Sequence, residues 1–201
     1  MLRSLGRPPD REEAFENFVG LPLTERILTA GRELAATMGL DPGARFVVIH
    51  PGAGSRTKRW PLERFLWLAA ELGRDFGPGL FVTGEAEVEI AAEIGHGRLP
   101  RRWKHAAEPE LLALTGLLSA CALYIGNDSG VTHLAAAAGA PVVALFRTEF
   151  EGAWRPEGRI ALLHAEDMSL IPPDAVLAEA RRALGLSVLS GELHNNLCKK
   201  P

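Results

Sequence analysis

Four short apolar runs, the first three of which are each followed by a polar loop and a helical pattern, constrain the fold of this chain more than any other feature. The runs lie at residues 46–49, 80–83, 123–125 and 142–146. Runs of this length, bounded by turn signals, are typical of parallel strands that are covered on both faces. Their alternation with helical patterns predicts an α/β fold with a doubly wound, mostly parallel sheet and helices on both faces.

Apolar residues at helical spacing predict the remaining elements. The first predicted helix runs from Thr24 to a stop at Gly39, and the second begins at Pro61, a residue suited to the first helical position. The other predictions are helices at 88–94, 110–121, up to 138 and 173–184, and a weaker strand at 160–163. The run RLPRRWKH at 98–105 is interpreted as a solvated basic face rather than as a nucleic-acid-binding patch.

Length and charge bound the possible functions. The 201 residues suffice for one well-buried core, and we divide them into a linker or arm with the first helix (1–43), the sheet domain (44–185) and a polar tail (186–201). Lys+Arg number 22 and Asp+Glu number 25, a net charge of -3. This balance provides no global positive field, so we expect no nucleic-acid partner.

The cysteines and the apolar runs indicate the compartment. Cys121 and Cys198 lie far apart and lack the spacing of a metal site, which favours a reducing environment over a disulfide framework. We find no apolar run long enough to span a membrane and no signal-peptide core near Met1. The sequence therefore predicts a cytoplasmic protein without a transmembrane segment.

The turn after the third apolar run is a candidate anion site. Asp128, Ser129 and Gly130 lie where a strand should end and a helix begin, and His133 follows one turn into that helix. The first amides of a helix have no intrahelical partner and carry the positive end of its dipole, so they can bind a phosphate. Helix capping alone would also explain Asp128 and Ser129.

The loop after the first apolar run has the composition of a diphosphate cradle. In HPGAGSRTKRWP, Gly54 allows a close backbone approach, Ser55 offers a hydroxyl, and Arg56 and Lys58 offer charge. The loop is not a Walker motif and contains no G-x-G-x-x-G pattern. The alternative is a basic surface turn with a tryptophan lid.

Two carboxylates, Glu85 and Glu87, follow the second apolar run. At this point doubly wound folds often bind the hydroxyl groups of a ribose, although the preference of helix starts for acidic residues explains them equally well. No G-x-S-x-G, H-E-x-x-H or paired C-x-x-C motif occurs, so neither a serine hydrolase nor a metal site is indicated.

Taken in order, the segments HPGAGSRTKRWP, TGEAE and GNDSGVTHLAAAAGAPVVALF resemble glycosyltransferase family 9, the ADP-heptose:lipopolysaccharide heptosyltransferases. The resemblance covers roughly residues 44–185. It implies a GT-B enzyme with two Rossmann-like domains, of which this chain resembles the C-terminal, donor-binding one. The chain departs from the family at Arg147, where a glycine is usual.

The resemblance also implies roles for individual residues. Ser55 and Lys58 match diphosphate contacts, and Asp128 with the amides of Ser129 and Gly130 matches the loop that holds sugar and phosphate. His133 lies on the helix behind that loop, and either Glu85 or Glu87 matches the ribose contact.

The implied activity is inverting transfer of a heptose or similar sugar from an ADP-sugar to a lipopolysaccharide-type, lipid-linked acceptor, without a metal or other cofactor. The acceptor contacts and the catalytic base are expected on an N-terminal half that these residues do not include, so we assign no catalytic residue here. The location would be cytoplasmic, with peripheral contact at the inner membrane face left open. Two alternatives are a non-catalytic nucleotide-sugar-binding module and a GT-B-like sugar-nucleotide epimerase.

Overall fold

The fold is a six-stranded parallel sheet between two layers of helices. The structure is a computed structural model that describes residues 20–41, 43–150 and 156–186. The sheet has the order β3-β2-β1-β4-β5-β6, and every neighbouring pair is parallel. Its strands are β1 (Val47–His50), β2 (Gly79–Thr83), β3 (Trp103–Ala107), β4 (Leu123–Asn127), β5 (Val142–Arg147) and β6 (Ile160–Ala165). This order confirms the predicted doubly wound α/β fold.

Among residues 20–41, 43–150 and 156–186, six helices cover the sheet: α1 (Glu25–Thr37), α2 (Leu62–Asp75), α3 (Val88–Gly95), α4 (Leu111–Ala120), α5 (Gly130–Ala137) and α6 (Pro173–Leu184). Helices α2, α3 and α6 contribute to one buried cluster, whereas α1, α4 and α5 contribute to the other. Adjacent strand residues alternate between the two clusters, as Val47 and Ile49 lie in the first and Val48 in the second. Burial on both faces explains why the central strands are continuous apolar runs.

Strand β3 corrects the prediction for residues 98–105, because part of this basic run lies in the sheet. Trp103 is buried against Phe81, with ring centroids 5.5 Å apart, while Lys104 is exposed. Trp103 pairs with Gly79 of β2, and a Cβ on Gly79 would come within 2.5 Å of the Trp103 ring. An edge strand is covered less completely than a central one, so it lacks the apolar run by which the other strands were recognised.

Helices α1 and α4 cross at two glycines. A Cβ on Gly31 would lie 2.2 Å from the carbonyl carbon of Gly116, and a Cβ on Gly116 would lie 2.0 Å from the carbonyl oxygen of Ile27. Helix α1 belongs to the segment 1–43 that was predicted as an arm with the first helix, and in the structure it packs directly on α4. The predicted arm at 1–19 and the tail from 187 onward lie outside the described residues.

Across residues 20–41, 43–150 and 156–186, the helices are too short or too polar for any one of them to cross a membrane.

Candidate functional site

The strand order brings the two predicted ligand loops together. The direction of the strand order reverses between β1 and β4, which pair from Val47↔Leu123 to His50↔Gly126. Ligands in open α/β sheets bind at such a reversal, beyond the carboxyl ends of the strands. The loop after β1 and the turn after β4 therefore lie side by side, with the turn after β2 next to them.

These three segments form a cleft with a volume of about 630 Å³. Five of the predicted site residues line it: Gly54, Glu87, Ser129, Gly130 and His133. The remaining lining residues are His50, Ala53, Gly84, Leu111, Val131, Leu134 and Ala137. The cleft thus combines polar groups at the strand ends with an apolar wall on α4 and α5, a composition typical of small-molecule sites.

The N-terminus of α5 opens directly onto this cleft. Ser129 caps the helix, since its Oγ accepts a hydrogen bond from the amide of Thr132 at 3.4 Å. Gly130 is the first helical residue, and a Cβ there would meet no atom within 4 Å. The positive end of the helix dipole is therefore accessible from the cleft.

Asp128 binds Lys58 rather than capping the helix. The Lys58 Nζ lies 2.7 Å from Asp128 Oδ2, and the side chains are only 25% and 8% exposed. This ion pair joins the loop after β1 to the turn after β4. Neither residue is among those that line the cleft, although Asp128 directly precedes two that do.

A buried amide also fastens the two segments. Asn127, at the end of β4, accepts a hydrogen bond from the amide of Trp60 at 3.0 Å and donates to the carbonyl oxygens of Pro51 and Gly52 at 2.8 and 3.3 Å. Trp60 itself is buried, and its Nε1 donates to the carbonyl of Ile171 at 3.0 Å. The tryptophan therefore belongs to the core and is not a lid over the loop.

Glu87 and Glu85 have different environments. Glu87 is buried at the cleft, and its Oε2 accepts the amide of Gly84 at 2.7 Å and lies 3.7 Å from Nε2 of His50. The imidazole of His50 is the main cause that lowers the pKa of the Glu87 carboxyl; the amide of Gly84 adds to this, and burial opposes it. Glu85 is exposed and does not line the cleft.

Three other residues singled out in the sequence do not line the cleft. Arg56 pairs with Glu89 on the surface, with Nη2 2.6 Å from both carboxylate oxygens. Ser55 is exposed, and its Oγ lies 3.0 Å from that of Thr57. Arg147 donates to the carbonyl of Glu166 at 3.1 Å and pairs with Glu149 at 3.1 Å, so it bridges the ends of β5 and β6.

The sequence pattern did not single out three residues that line the cleft or hold its loops. His50 and Gly84 line the cleft, and Asn127 holds its loops together. Each lies at or directly after the end of a central strand, and this position was the available signal. In the part of the chain that the structure describes, no group of three or more His, Cys, Asp or Glu side chains could hold a metal ion.

Comparison with known proteins gives consistent results. The model of glycosyltransferase family 9 (heptosyltransferase) matches residues 12–166. Lipopolysaccharide heptosyltransferase 1 of Pseudomonas aeruginosa is 29% identical over 164 residues, which are 80% of this chain and 45% of that protein. The chain thus spans less than half the length of this curated relative.

Solved structures show the same fold. The glycosyl transferase family 9 protein of Veillonella parvula gives a TM-score of 0.75 at 22% identity, and the ADP-heptose lipopolysaccharide heptosyltransferase II of Escherichia coli gives 0.71 at 23%. Each match covers 82% of this chain and 53% of the other. An E. coli heptosyltransferase solved with ADP gives 0.63 at 18% identity, over 71% of this chain and 45% of that one.

Proposed function

The chain belongs to glycosyltransferase family 9, and from this premise we propose that its cleft binds the nucleotide part of an ADP-heptose-type donor. The chain would then serve as the donor domain of an inverting glycosyltransferase. The sugar would pass to a lipid-linked, lipopolysaccharide-type acceptor. The names of the relatives, lipopolysaccharide heptosyltransferases, support this choice of donor and acceptor.

The observation that carries the proposal is the exposed N-terminus of α5 at the cleft. A Cβ on Gly130 would meet no atom within 4 Å, and Gly130, Ser129 and Gly54 all line the same cleft. Backbone N–H groups and a helix dipole suit a diphosphate, which carries its charge on oxygens that accept several hydrogen bonds.

Lys58 and Asp128 add to this anion site in a balanced way. The ammonium of Lys58 neutralises the neighbouring carboxylate, so Asp128 can contact sugar hydroxyls without repelling the diphosphate. A lysine ammonium carries three donors and a full positive charge, so it can bind a phosphate oxygen as well as a carboxylate. Arg56 would contribute only after exchanging Glu89 for the ligand.

Glu87 is the better candidate for the ribose contact, because it lines the cleft and Glu85 does not. The lowered pKa of its carboxyl keeps it ionised at neutral pH, and an ionised carboxylate is a strong acceptor for ribose hydroxyls.

The proposed reaction is a single displacement. An acceptor oxygen forms a bond to the anomeric carbon, the bond from that carbon to the diphosphate oxygen breaks, and ADP leaves with the electron pair. The acceptor proton passes to a carboxylate base. The α5 dipole and Lys58 stabilise the charge that develops on the leaving diphosphate, and we propose no metal or cofactor for this step.

We assign neither the base nor the acceptor contacts to this chain. We expect both from the part of the family's enzymes that these residues do not span. A lipid-linked acceptor would bring the protein to the cytoplasmic face of the inner membrane.

Calorimetric titration of ADP, an ADP-sugar and UDP into the purified chain tests the proposal. We expect ADP binding that weakens about tenfold or more in Lys58→Ala, since charge-assisted contacts are worth about 1.5–3 kcal/mol. Lys104→Ala is the matched control, because Lys104 is exposed within β3 and belongs to neither the loop after β1 nor the turn after β4. Equal losses in both variants, or no binding by the unmodified chain, would contradict the proposal.

A further inference from the structure

His50 is a buried polar side chain that the proposed reaction does not yet use. It is the last residue of β1 and only 3% exposed, although it lines the cleft. Burying an imidazole is unfavourable unless both ring nitrogens have suitable neighbours. The structure provides one for each nitrogen, and they come from different segments.

On one side of the ring, Nε2 lies 3.7 Å from Oε2 of Glu87, in the turn after β2. On the other side, Nδ1 lies 3.4 Å from Oγ of Ser129, in the turn after β4. His50 is therefore in contact with both neighbouring strand ends at once. Glu87 and Ser129 both line the cleft as well.

The chemistry of these neighbours fixes the direction of the contacts. A carboxylate can only accept, so in the neutral ring the proton lies on Nε2 and points towards Glu87. Nδ1 can then accept from the hydroxyl of Ser129, whose Oγ also lies 3.2 Å from Oγ1 of Thr132. This arrangement leaves the lone pairs of Ser129 Oγ available for the amide of Thr132, which it caps.

The surroundings leave the Glu87 carboxylate little freedom to move away from His50. A Cβ on Gly52 would come within 2.4 Å of the Glu87 carboxyl, so the loop after β1 packs directly on it. The amide of Gly84 holds the same carboxylate oxygen that faces His50. A displacement of the imidazole would therefore change the contacts of both Glu87 and Ser129.

We propose that His50 is a positioning residue that sets the Glu87 carboxylate and the Ser129 hydroxyl in fixed relative positions, so that one nucleoside diphosphate meets its ribose and phosphate contacts together. The ligand assignment in this statement rests on the proposed function. The contacts of His50 with its two neighbours do not depend on that assignment. The contact with Glu87 can be measured without a ligand.

Two isosteric variants separate the two contacts. Asparagine places a polar atom near the position of Nδ1 and retains a partner for Ser129, whereas glutamine places one near Nε2 and retains a partner for Glu87. Leucine keeps the site filled and apolar but offers neither. His105→Gln is the matched control: His105 is partly buried on β3, contacts Thr83 Oγ1 at 2.8 Å through Nε2, and does not line the cleft.

The first measurement is a carbon-13 NMR titration of the Glu87 carboxyl in the ligand-free chain. We expect its pKa to rise in His50→Asn and His50→Leu and to stay near the unmodified value in His50→Gln and His105→Gln. The charge of Arg59, which also lowers this pKa, is the same in every variant. A pKa unchanged in His50→Asn and His50→Leu would overturn the contact with Glu87.

The second measurement is the ADP affinity of the same proteins. We expect losses of about threefold or more in both His50→Asn and His50→Gln, a larger loss in His50→Leu, and no change in His105→Gln. Unchanged affinity in both isosteric variants would overturn the positioning role. If the unmodified chain binds no ADP, the proposed function fails and takes the nucleotide role of His50 with it, while the carboxyl titration still decides the contact. If His50→Leu does not fold, the two isosteric variants decide the outcome.

Discussion

Replacing Asn127 with alanine tests how the loop after β1 is held at the cleft. The Asn127 side chain is fully buried and forms three hydrogen bonds to that loop. Alanine removes the acceptor for the amide of Trp60 and the donor for the carbonyls of Pro51 and Gly52. No other residue of β4 holds that loop through both an acceptor and a donor among the described hydrogen bonds.

The expected loss of stability follows from the groups left behind. The Trp60 amide and the Pro51 carbonyl lose this partner in a buried setting, and each unsatisfied group costs about 1–3 kcal/mol. Together they predict a decrease of about 2–6 kcal/mol in the free energy of unfolding. A typical domain has only about 5–15 kcal/mol in total, so the change is large.

Urea denaturation followed by tryptophan fluorescence measures this decrease. Thr115→Val is a suitable control, because it removes one partly buried hydrogen bond, from Thr115 Oγ1 to the carbonyl of Leu111 at 2.7 Å within α4. We expect that variant to lose about 1 kcal/mol. If Asn127→Ala loses no more than Thr115→Val, the amide does not fasten the loop.

Three further predictions concern the core and its titrating groups. Gly116→Ala should lower the free energy of unfolding by about 1–3 kcal/mol, because the added Cβ would meet the backbone of α1. Gly95→Ala should not lower it, because a Cβ at Gly95 meets no atom within 4 Å. Thermal melts of the two variants compare them directly. The pKa of the Glu87 carboxyl is lowered in the folded chain, so its ionised form stabilises the fold above the ordinary carboxyl pKa, and this contribution is lost as the pH falls through the folded pKa. Glu87→Gln should therefore weaken the decrease in the free energy of unfolding at acid pH. An unchanged decrease would contradict this. Burial raises the pKa of the Cys121 thiol to about 12. In a Cys198→Ser variant, a thiol reagent at pH 8 should therefore react with Cys121 only after the chain unfolds. Rapid labelling of the native chain would contradict this, because it would show that the thiol is accessible.

The central strands could be predicted from the sequence because they are buried on both faces. Residues such as Val47, Val48 and Ile49 must all be apolar when alternate side chains enter different clusters. Strand β3 could not be recognised in the same way, because exposed Lys104 interrupts its pattern. The packing of Trp103 on Gly79 depends on strand pairing, which no local pattern records.

The loops that form the cleft could be predicted from the strand ends, but the contacts between these loops could not. Gly54, Ser129 and Gly130 line the cleft, and their assignment to a ligand stays a prediction. The pairing of Lys58 with Asp128 joins residues 70 positions apart and depends on how two loops meet. The crossing of α1 and α4 at their glycines is likewise visible only once both helices are placed.

The turn after β2 illustrates the same limit at shorter range. Glu85 and Glu87 are equivalent in the sequence pattern, yet one is exposed and the other lies buried at the cleft. The difference arises because the short helical turn at Glu85–Glu87 directs the second carboxylate back to the amide of Gly84. In this short turn, side chains two residues apart have different surroundings, which composition alone does not reveal.

The most direct test of the central claim is an amide NMR titration of the chain with ADP. We expect the amides of Gly54, Ser129 and Gly130 to shift most, because they lie where the diphosphate should bind. Gly95 and Gly185, at the ends of α3 and α6, should not move. Shifts confined to those two glycines, or none at millimolar ADP, would contradict the claim that this cleft is a nucleotide site.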